Sequence, residues 1–185
     1  VTRNRACFGC ISSCGKLFSI TDGRYAGTII DGPEFETQYS LGTQCYNSDI
    51  EVLAKANEIC DRLGLDTLST GVAIGFAAEC YEKGLVSRED TEGLDLSFGN
   101  ADSLLEMITK IAYRQGLGNT LAEGVKKASD VIGHGSEDFA MHSKGLELPG
   151  YDVRGLKGTA LAFAVSNRGG CHLRCLLYTS DAADE

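Results

Sequence analysis

The sequence predicts an all-α, multi-helical domain that follows an irregular, cysteine-containing N-terminal segment. Three observations predict it. Apolar residues recur at the spacing of one helix face through the middle of the chain. Polar residues suited to helix N-caps, Ser48, Asn100 and Asn119, stand just before those stretches. The chain has 23 glycines but only two prolines, which suits helices stopped by a left-handed glycine.

The first stretch, to about Gly42, is rich in Gly, Ser and Thr. It reads as loops with short extended pieces, such as 16–20 ahead of a turn at Asp22-Gly23. Ser48-Asp49-Ile50-Glu51 reads as a capping box with Ser48 as N-cap. Leu53, Ala56, Cys60 and Leu63 follow on one face, and Gly64 suits the C′ position. A second helix is expected over 67–83, with Leu68, Val72, Phe76 and Cys80 as its stripe and Gly84 as its stop. Asn100 is expected to cap a third, carrying Leu104, Ile108, Ile111 and Ala112 and ending at Gly116. Asn119 is expected to cap a fourth, carrying Leu121, Val125, Ala128 and Ile132 and ending at Gly133. A fifth, apolar helix is expected over 156–166.

Composition excludes several classes. The 185 residues carry 17 basic and 26 acidic side chains, a net charge of -9, with no basic stripe for nucleic acid. No apolar run reaches the ~18 residues a membrane span needs. No signal peptide opens the chain, and a start at Val1 without Met leads us to expect a fragment. The last ten residues lack apolar periodicity, and the string at 176–185 resembles translated sequencing-adapter read-through, or else a frayed acidic terminus. We expect a non-native tail there.

Four segments carry chemistry. Cys7-Phe8-Gly9-Cys10-Ile11-Ser12-Ser13-Cys14 is a C-x2-C-x3-C run. Short spacing with Gly and Ser lets three soft thiolates face one centre, as an iron-sulfur cluster or zinc requires. A structural zinc site more often presents two separated ligand pairs. Cys60 and Cys80 fall on apolar helix faces and read as core. Gly32-Pro33-Glu34-Phe35-Glu36-Thr37 places two carboxylates around an aromatic. Either suits a general acid or base, although taken alone the segment reads as a solvated turn. Asp61-Arg62-Leu63-Gly64-Leu65-Asp66 joins two helices. Asp66 is explained as an N-cap, whereas Asp61 sits in a last helical turn where the dipole disfavours it. Such a corner suits a polar heterocycle rich in N–H donors. Asn167-Arg168-Gly169-Gly170-Cys171-His172 pairs two glycines, which permit close approach to a ligand, with a histidine able to shuttle protons or serve structure. The segment Lys144-Gly145-Leu146-Glu147-Leu148-Pro149-Gly150-Tyr151-Asp152 looks specific, but its chemistry is not readable. His134 and His142 join no constellation, and no phosphate-binding glycine motif is present.

Taken together and in order, these segments resemble the aldehyde ferredoxin oxidoreductase family of tungsten, sometimes molybdenum, pterin enzymes. The resemblance runs from about Arg5 to Arg174. It implies a middle α-helical domain at 1–140 and the start of a C-terminal α-helical domain at 141–175, with an upstream β domain missing. It implies that Cys7, Cys10 and Cys14 ligate a [4Fe-4S] cluster, and that Asp61, Gly64, Leu65 and Asp66 form a D-x-x-G-L-[DC] pterin motif. Glu36 matches the acid beside the metal, with Glu34 as the alternative if the register is shifted, and His172 matches the active-site histidine. The fourth cluster cysteine and a second pterin motif are expected beyond Arg174.

The activity implied is oxidation of an aldehyde with water to a carboxylic acid, at a tungsten (or molybdenum) bis-pterin centre. Electrons leave through the cluster to ferredoxin, in a cytoplasmic enzyme for which a homo-oligomer is one expected assembly. Some relatives run reductively, and the fragment alone is expected to be inactive. Two other readings stand beside it: a non-catalytic iron-sulfur electron-transfer subunit, and a zinc-stabilised helical interaction module.

Overall fold

The computed structural model describes residues 2–173. The expected tail at 176–185 and the ligand positions expected past Arg174 lie outside the described residues. The architecture is helical, with two small sheets at its edges.

The stretch expected to be mostly loop contains a three-stranded antiparallel sheet, β1 (Arg3–Arg5), β2 (Gly15–Ser19) and β3 (Ile29–Asp31), in the order β1-β2-β3. Arg5 pairs with Gly15 and Phe18 with Ile30. The extended reading of 16–20 matches β2. The two outer strands are three residues each, too short to display alternation. Ile20 and Ile30 bury against Ala54, which fastens the sheet to the next long helix.

Residues 35–45, also expected to be irregular as far as Gly42, wind continuously instead. A turn of helix, α1 (Phe35–Thr37), runs into a π-helical turn at Gln38–Gly42 and a 3-10 turn at Thr43–Cys45. The cause is tertiary. This segment lies flat on the helix α3 (Thr67–Glu82) at two positions that lack side chains. A Cβ on Gly71 would stand 2.7 Å from the Ser40 carbonyl oxygen, and one on Gly75 3.0 Å from Gln44 Cγ. The Ser40 hydroxyl donates to the Thr67 carbonyl at 3.0 Å, and the Thr37 and Thr67 hydroxyls share a hydrogen bond of 2.8 Å.

The helix α2 (Ile50–Leu63) starts one residue later than the capping box predicts. Asp49 rather than Ser48 is the N-cap, and its carboxylate accepts from Glu51 N and Val52 N. Asp49 wins because a charged oxygen satisfies two orphan N–H groups more strongly than a hydroxyl. Gly64 ends α2 as expected, at φ 69°, with Leu65 N donating to the Cys60 carbonyl. Asp66 caps α3 through Ser69 N at 2.7 Å. Asn100 caps α4 (Ala101–Tyr113) as expected, but α4 ends on a left-handed Arg114, not at Gly116. The expected fourth helix is broken in two, α5 (Leu117–Leu121) and α6 (Val125–Ile132). Gly124 at φ 86° makes the break, so Asn119 lies inside α5 instead of capping. A two-stranded hairpin, β4 (His142–Ser143) and β5 (Leu146–Glu147), precedes α7 (Lys157–Val165).

The predicted stripes make the core. Leu53, Ala56, Cys60, Val72, Phe76, Cys80, Ile108, Leu121, Val125 and Ala128 are all buried. In α3 the burial extends to Ala73, Ile74, Ala77 and Ala78, so this helix is surrounded on nearly all sides. It is the axis on which the other elements pack.

Gly71→Ala tests the contact with the π-helical turn that carries Ser40. Helix propensity alone favours alanine by about 1 kcal/mol, but overpacking against backbone costs about 1–3 kcal/mol. We expect a lower denaturant midpoint; a higher one means the 38–45 segment does not press on α3. Glu123 joins the end of α4 to α6 by ion pairs with Arg114 at 2.7 Å and Lys127 at 2.8 Å. Hydrogen bonds from Lys127 and then Arg114 lower its carboxyl from 4.5 to about 2. A carboxylate depressed on folding contributes stability above its ordinary value and loses it as pH falls through the folded value. Glu123→Gln is therefore expected to lower the melting temperature slightly at pH 7. The gap to wild type should close between pH 4.5 and about 2, and one that persists there would rule out a charge effect.

Candidate functional site

Cys7, Cys10 and Cys14 lie on the loop between β1 and β2, and all three are exposed. The loop turns at Cys7, whose carbonyl accepts from Cys10 N at 3.0 Å, and at Gly9, with φ 73°. The N–H and hydroxyl of Ser12, followed by the N–H of Ser13, lower the Cys10 thiol from its ordinary value. Phe8 and Ile11 between the thiols are fully exposed. Among the described residues no three His, Cys, Asp or Glu side chains converge closely enough to hold a metal ion. The thiols thus share one loop without closing on a point. The remaining described cysteines behave differently. Burial pushes Cys45 and Cys60 up to about 12 and Cys80 up to about 11. These are core thiols, as the sequence predicts for Cys60 and Cys80.

The helical corner follows from the two caps. Gly64 takes the left-handed residue that α2 needs to stop, Leu65 packs against the core, and Asp66 starts α3. Asp61 accepts a hydrogen bond from Asn57 Nδ2 at 2.7 Å. Desolvation nevertheless pushes its carboxyl above the ordinary value, against the pull of Asn57. The corner therefore holds a carboxylate with capacity to accept further donors. The sheet links this corner to the thiol loop, because β3 packs on α2.

Glu36 is carried by α1, which the Thr37–Thr67 hydroxyl bond ties to the start of α3. Its Oε2 accepts the N–H of Gly150 at 2.9 Å, across 114 residues of sequence. Its Oε1 is buried and has no hydrogen-bond partner among the described residues. Glu34, the alternative acid, is exposed and forms no side-chain cap. Beside Gly150, the Tyr151 ring lies 5.7 Å from Phe35 and 5.9 Å from His172. Three sequence-distant segments thus meet in one aromatic row.

Asp66 and His172 line the same cavity of about 180 Å³, together with Leu68, Leu146, Arg168 and Cys171. A second cavity of about 300 Å³, bordered by Leu65, Asp66, Ser69 and Glu147, opens beside it. The structure corrects one expectation here. The paired glycines Gly169 and Gly170 approach the protein's own hairpin. A Cβ on Gly169 would overlap the Ser143 carbonyl oxygen, and one on Gly170 would stand 2.6 Å from Leu148 Cδ2. They seat the His172 segment on β4 and β5 rather than open it to a ligand. His142 is structural, its Nδ1 accepting from Gly145 N at 3.3 Å.

Sequence reasoning missed Tyr39, and it left Glu147 and Gly150 unread inside a segment it singled out. Glu147 is buried and caps α6 from a distance, its Oε1 accepting from Val125 N at 2.8 Å. Gly124 lacks a side chain for that role, and its left-handed break was the available signal.

The donor set suits the implied cofactors. Exposed thiols, with N–H donors at the sulfur of Cys10, suit a cluster; a carboxylate at a corner, raised above its ordinary value and open to further donors, suits N–H groups of a pterin; and an orphaned acid oxygen suits proton exchange beside it. Comparisons with known proteins agree in kind. The family described as "Aldehyde ferredoxin oxidoreductase, domains 2 & 3" matches residues 1–184. The tungsten-containing aldehyde ferredoxin oxidoreductase of Thermococcus kodakarensis is 40% identical over 93% of this chain and 28% of its own length. That of Pyrococcus furiosus is 39% identical over 94% of this chain, again 28% of its own. The aliphatic sulfonate oxidoreductase, WOR-like subunit, of Pyrococcus furiosus is 34% identical over 89% and 27%. Among solved structures, the active site complex BamBC of benzoyl coenzyme A reductase with 1,5 dienoyl-CoA contains a chain of TM-score 0.67 and 29% identity. That match covers 80% of this chain and 22% of that one. This chain thus spans little more than a quarter of the curated relatives it matches. Matched over nearly its whole length by domains 2 and 3, it belongs to the aldehyde ferredoxin oxidoreductase family of enzymes.

Proposed function

We propose that this chain is the part of a tungsten-pterin oxidoreductase that holds the iron-sulfur cluster and one pterin, and that supplies its acid–base residues. The reaction is an aldehyde plus water giving a carboxylic acid, two protons and two electrons, with ferredoxin as acceptor, in the cytoplasm. The observation that carries this reading is the meeting of the segments that hold Glu36, Tyr151 and His172, with Glu36 Oε1 buried and unpartnered among the described residues.

When bound, the tungsten-pterin group and the [4Fe-4S] cluster supply an electron sink and an electron outlet. The residues of this chain do the rest. Cys7, Cys10 and Cys14 bind iron as thiolates, and donors from Ser12 and Ser13 favour that form at Cys10. Asp61 accepts N–H donors of the pterin, and Gly64 and Leu65 shape the bend that presents it. Asp66 stays committed to Ser69 N and holds the bend rigid. Glu36 takes the proton released as water adds to the carbonyl carbon, and His172 exchanges the second with solvent through the cavity it lines. Relatives named for sulfonate and for benzoyl coenzyme A support a scaffold that accompanies more than one substrate class.

Three outcomes follow in a full-length enzyme carrying this sequence, purified without oxygen. Cys10→Ala removes the dithionite-bleachable visible absorption; unchanged iron and sulfide contradicts the ligand set, and a colourless protein holding only zinc favours the interaction module. His172→Ala lowers kcat about 100-fold or more with metal content intact; full activity makes this histidine structural. Asp61→Asn separates binding from folding. A carboxyl raised on folding costs stability in its charged form, above its ordinary 3.8, and the cost is relieved as pH falls. The cofactor-free variant should melt no lower than wild type at pH 7, yet retain tungsten about tenfold less well. A lower melting temperature with full tungsten contradicts the role.

A further inference from the structure

Glu36 is held by a contact that neither the motif around it nor the aromatic row explains. The backbone at Gly150 lies directly on the ring of Tyr39. A Cβ built there would stand 2.7 Å from Tyr39 Cγ and 3.0 Å from both Cβ and Cδ1. No side chain fits between them. Tyr39 sits in the π-helical turn that follows α1, half-buried. Burial, and then the charge of Glu36, push its hydroxyl above the ordinary value, so the ring remains neutral next to the carboxylate. With the ring as a backstop, the Gly150 N–H points at Glu36 Oε2, 2.9 Å away.

The two carboxylate oxygens are thereby made unequal. A backbone N–H can only donate. The oxygen that faces it is held as an acceptor, and a proton placed there would cost that bond. The other oxygen has no such obligation. It is buried and without a partner among the described residues, the condition in which an acceptor is most in need of a proton or a donor.

We propose that Tyr39 and Gly150 are positioning residues for Glu36, which fix Oε2 as the acceptor and leave Oε1 as the oxygen that exchanges the proton. The proposal rests on the reading of Glu36 as the acid–base group and names how that group is aimed. Tyr39 acts through its ring and not through its hydroxyl. The 148–152 loop is thus the element that sets the carboxylate's direction, and its Tyr151 ring also lies against His172.

Hydrogen exchange of the Gly150 amide, read by mass spectrometry on the peptide that contains it, tests the contact in both cofactor-free and loaded full-length enzyme. Glu36→Ala and Tyr39→Ala should each speed that exchange about tenfold or more, as expected on losing a bond to a charged acceptor. Tyr39→Phe should restore slow exchange. In the loaded enzyme, Tyr39→Ala should lower kcat about tenfold or more, with the aldehyde KM within about twofold and the metal content unchanged, because direction and not binding is lost. Tyr39→Phe should restore kcat. Unchanged Gly150 exchange in Glu36→Ala, or a Tyr39→Ala enzyme that loses KM and metal along with kcat, overturns the positioning proposal alone. Full activity in Glu36→Gln overturns the acid–base reading itself and removes the assignment of the proton to Oε1.

Discussion

The close approach of the 38–45 segment to α3 is the contact on which the site depends. Backbone meets backbone at Gly71, where any Cβ would intrude, and the Gln44 side chain lies against Gly75. Hydroxyls then lock the register, Thr37 to Thr67 and Ser40 to the Thr67 carbonyl. Glycine in a helix interior costs about 1 kcal/mol in chain entropy. The offset is burial on nearly all sides of α3 and a fixed seat for the one acid that the motif places in α1. Were α3 a helix with a bulky stripe all round, α1 would stand a side chain's width further out. Glu36 would then not reach Gly150.

The same helix start gathers the corner between α2 and α3. Asp66 caps it, Asp61 sits in the last turn of the helix before it, and the His172 segment lies against the hairpin. Rigid elements on a buried axis place groups more accurately than loops do. The thiol loop is the contrast. It projects from a small sheet and exposes its sulfurs, while the core sulfurs at Cys45 and Cys60 are pushed to about 12 by burial. A thiol held protonated inside a core is a small hydrophobe. A thiol with N–H donors and open access is more readily a thiolate, the form that binds metals. Burial thus divides the cysteines of this chain into two chemically different kinds.

Much of the helical scaffold was legible because helix signals are local. Stripes at 3.6-residue spacing, Gly64 as a stop, and Asp66 and Asn100 as caps each depend on a few neighbouring residues. Two of the errors share one cause, which is tertiary structure overriding local preference. The π-helical turn at 38–42 exists because α3 offers glycines to it, and nothing within 38–42 says so. The break at Gly124 is tolerated because Glu147, 22 residues on, satisfies the orphaned Val125 N–H. Three-residue strands leave no periodic trace. In the site, the residue types were readable from their motifs, but their meeting was not. Gly150 lies 114 residues from Glu36, and spacing carries no record of that distance being closed in space.

The carboxylates around the start of α3 can be sorted by what they satisfy. Asp66 is engaged with the N–H of Ser69, and Glu147 with that of Val125. Each neutralises an orphan donor at a helix end, which is sufficient reason for an acid to be there. Asp61 and Glu36 differ. Asp61 stands at the wrong end of its helix, and its one donor, Asn57, does not offset its desolvation. Glu36 has a donor for one oxygen and none among the described residues for the other, although that other oxygen is buried. Stability alone would replace both with neutral side chains. Acids whose position helix stability does not explain are where local consistency yields to function, and Asp61 and Glu36 are two such acids, the first open to further donors and the second with one buried oxygen unpartnered among the described residues.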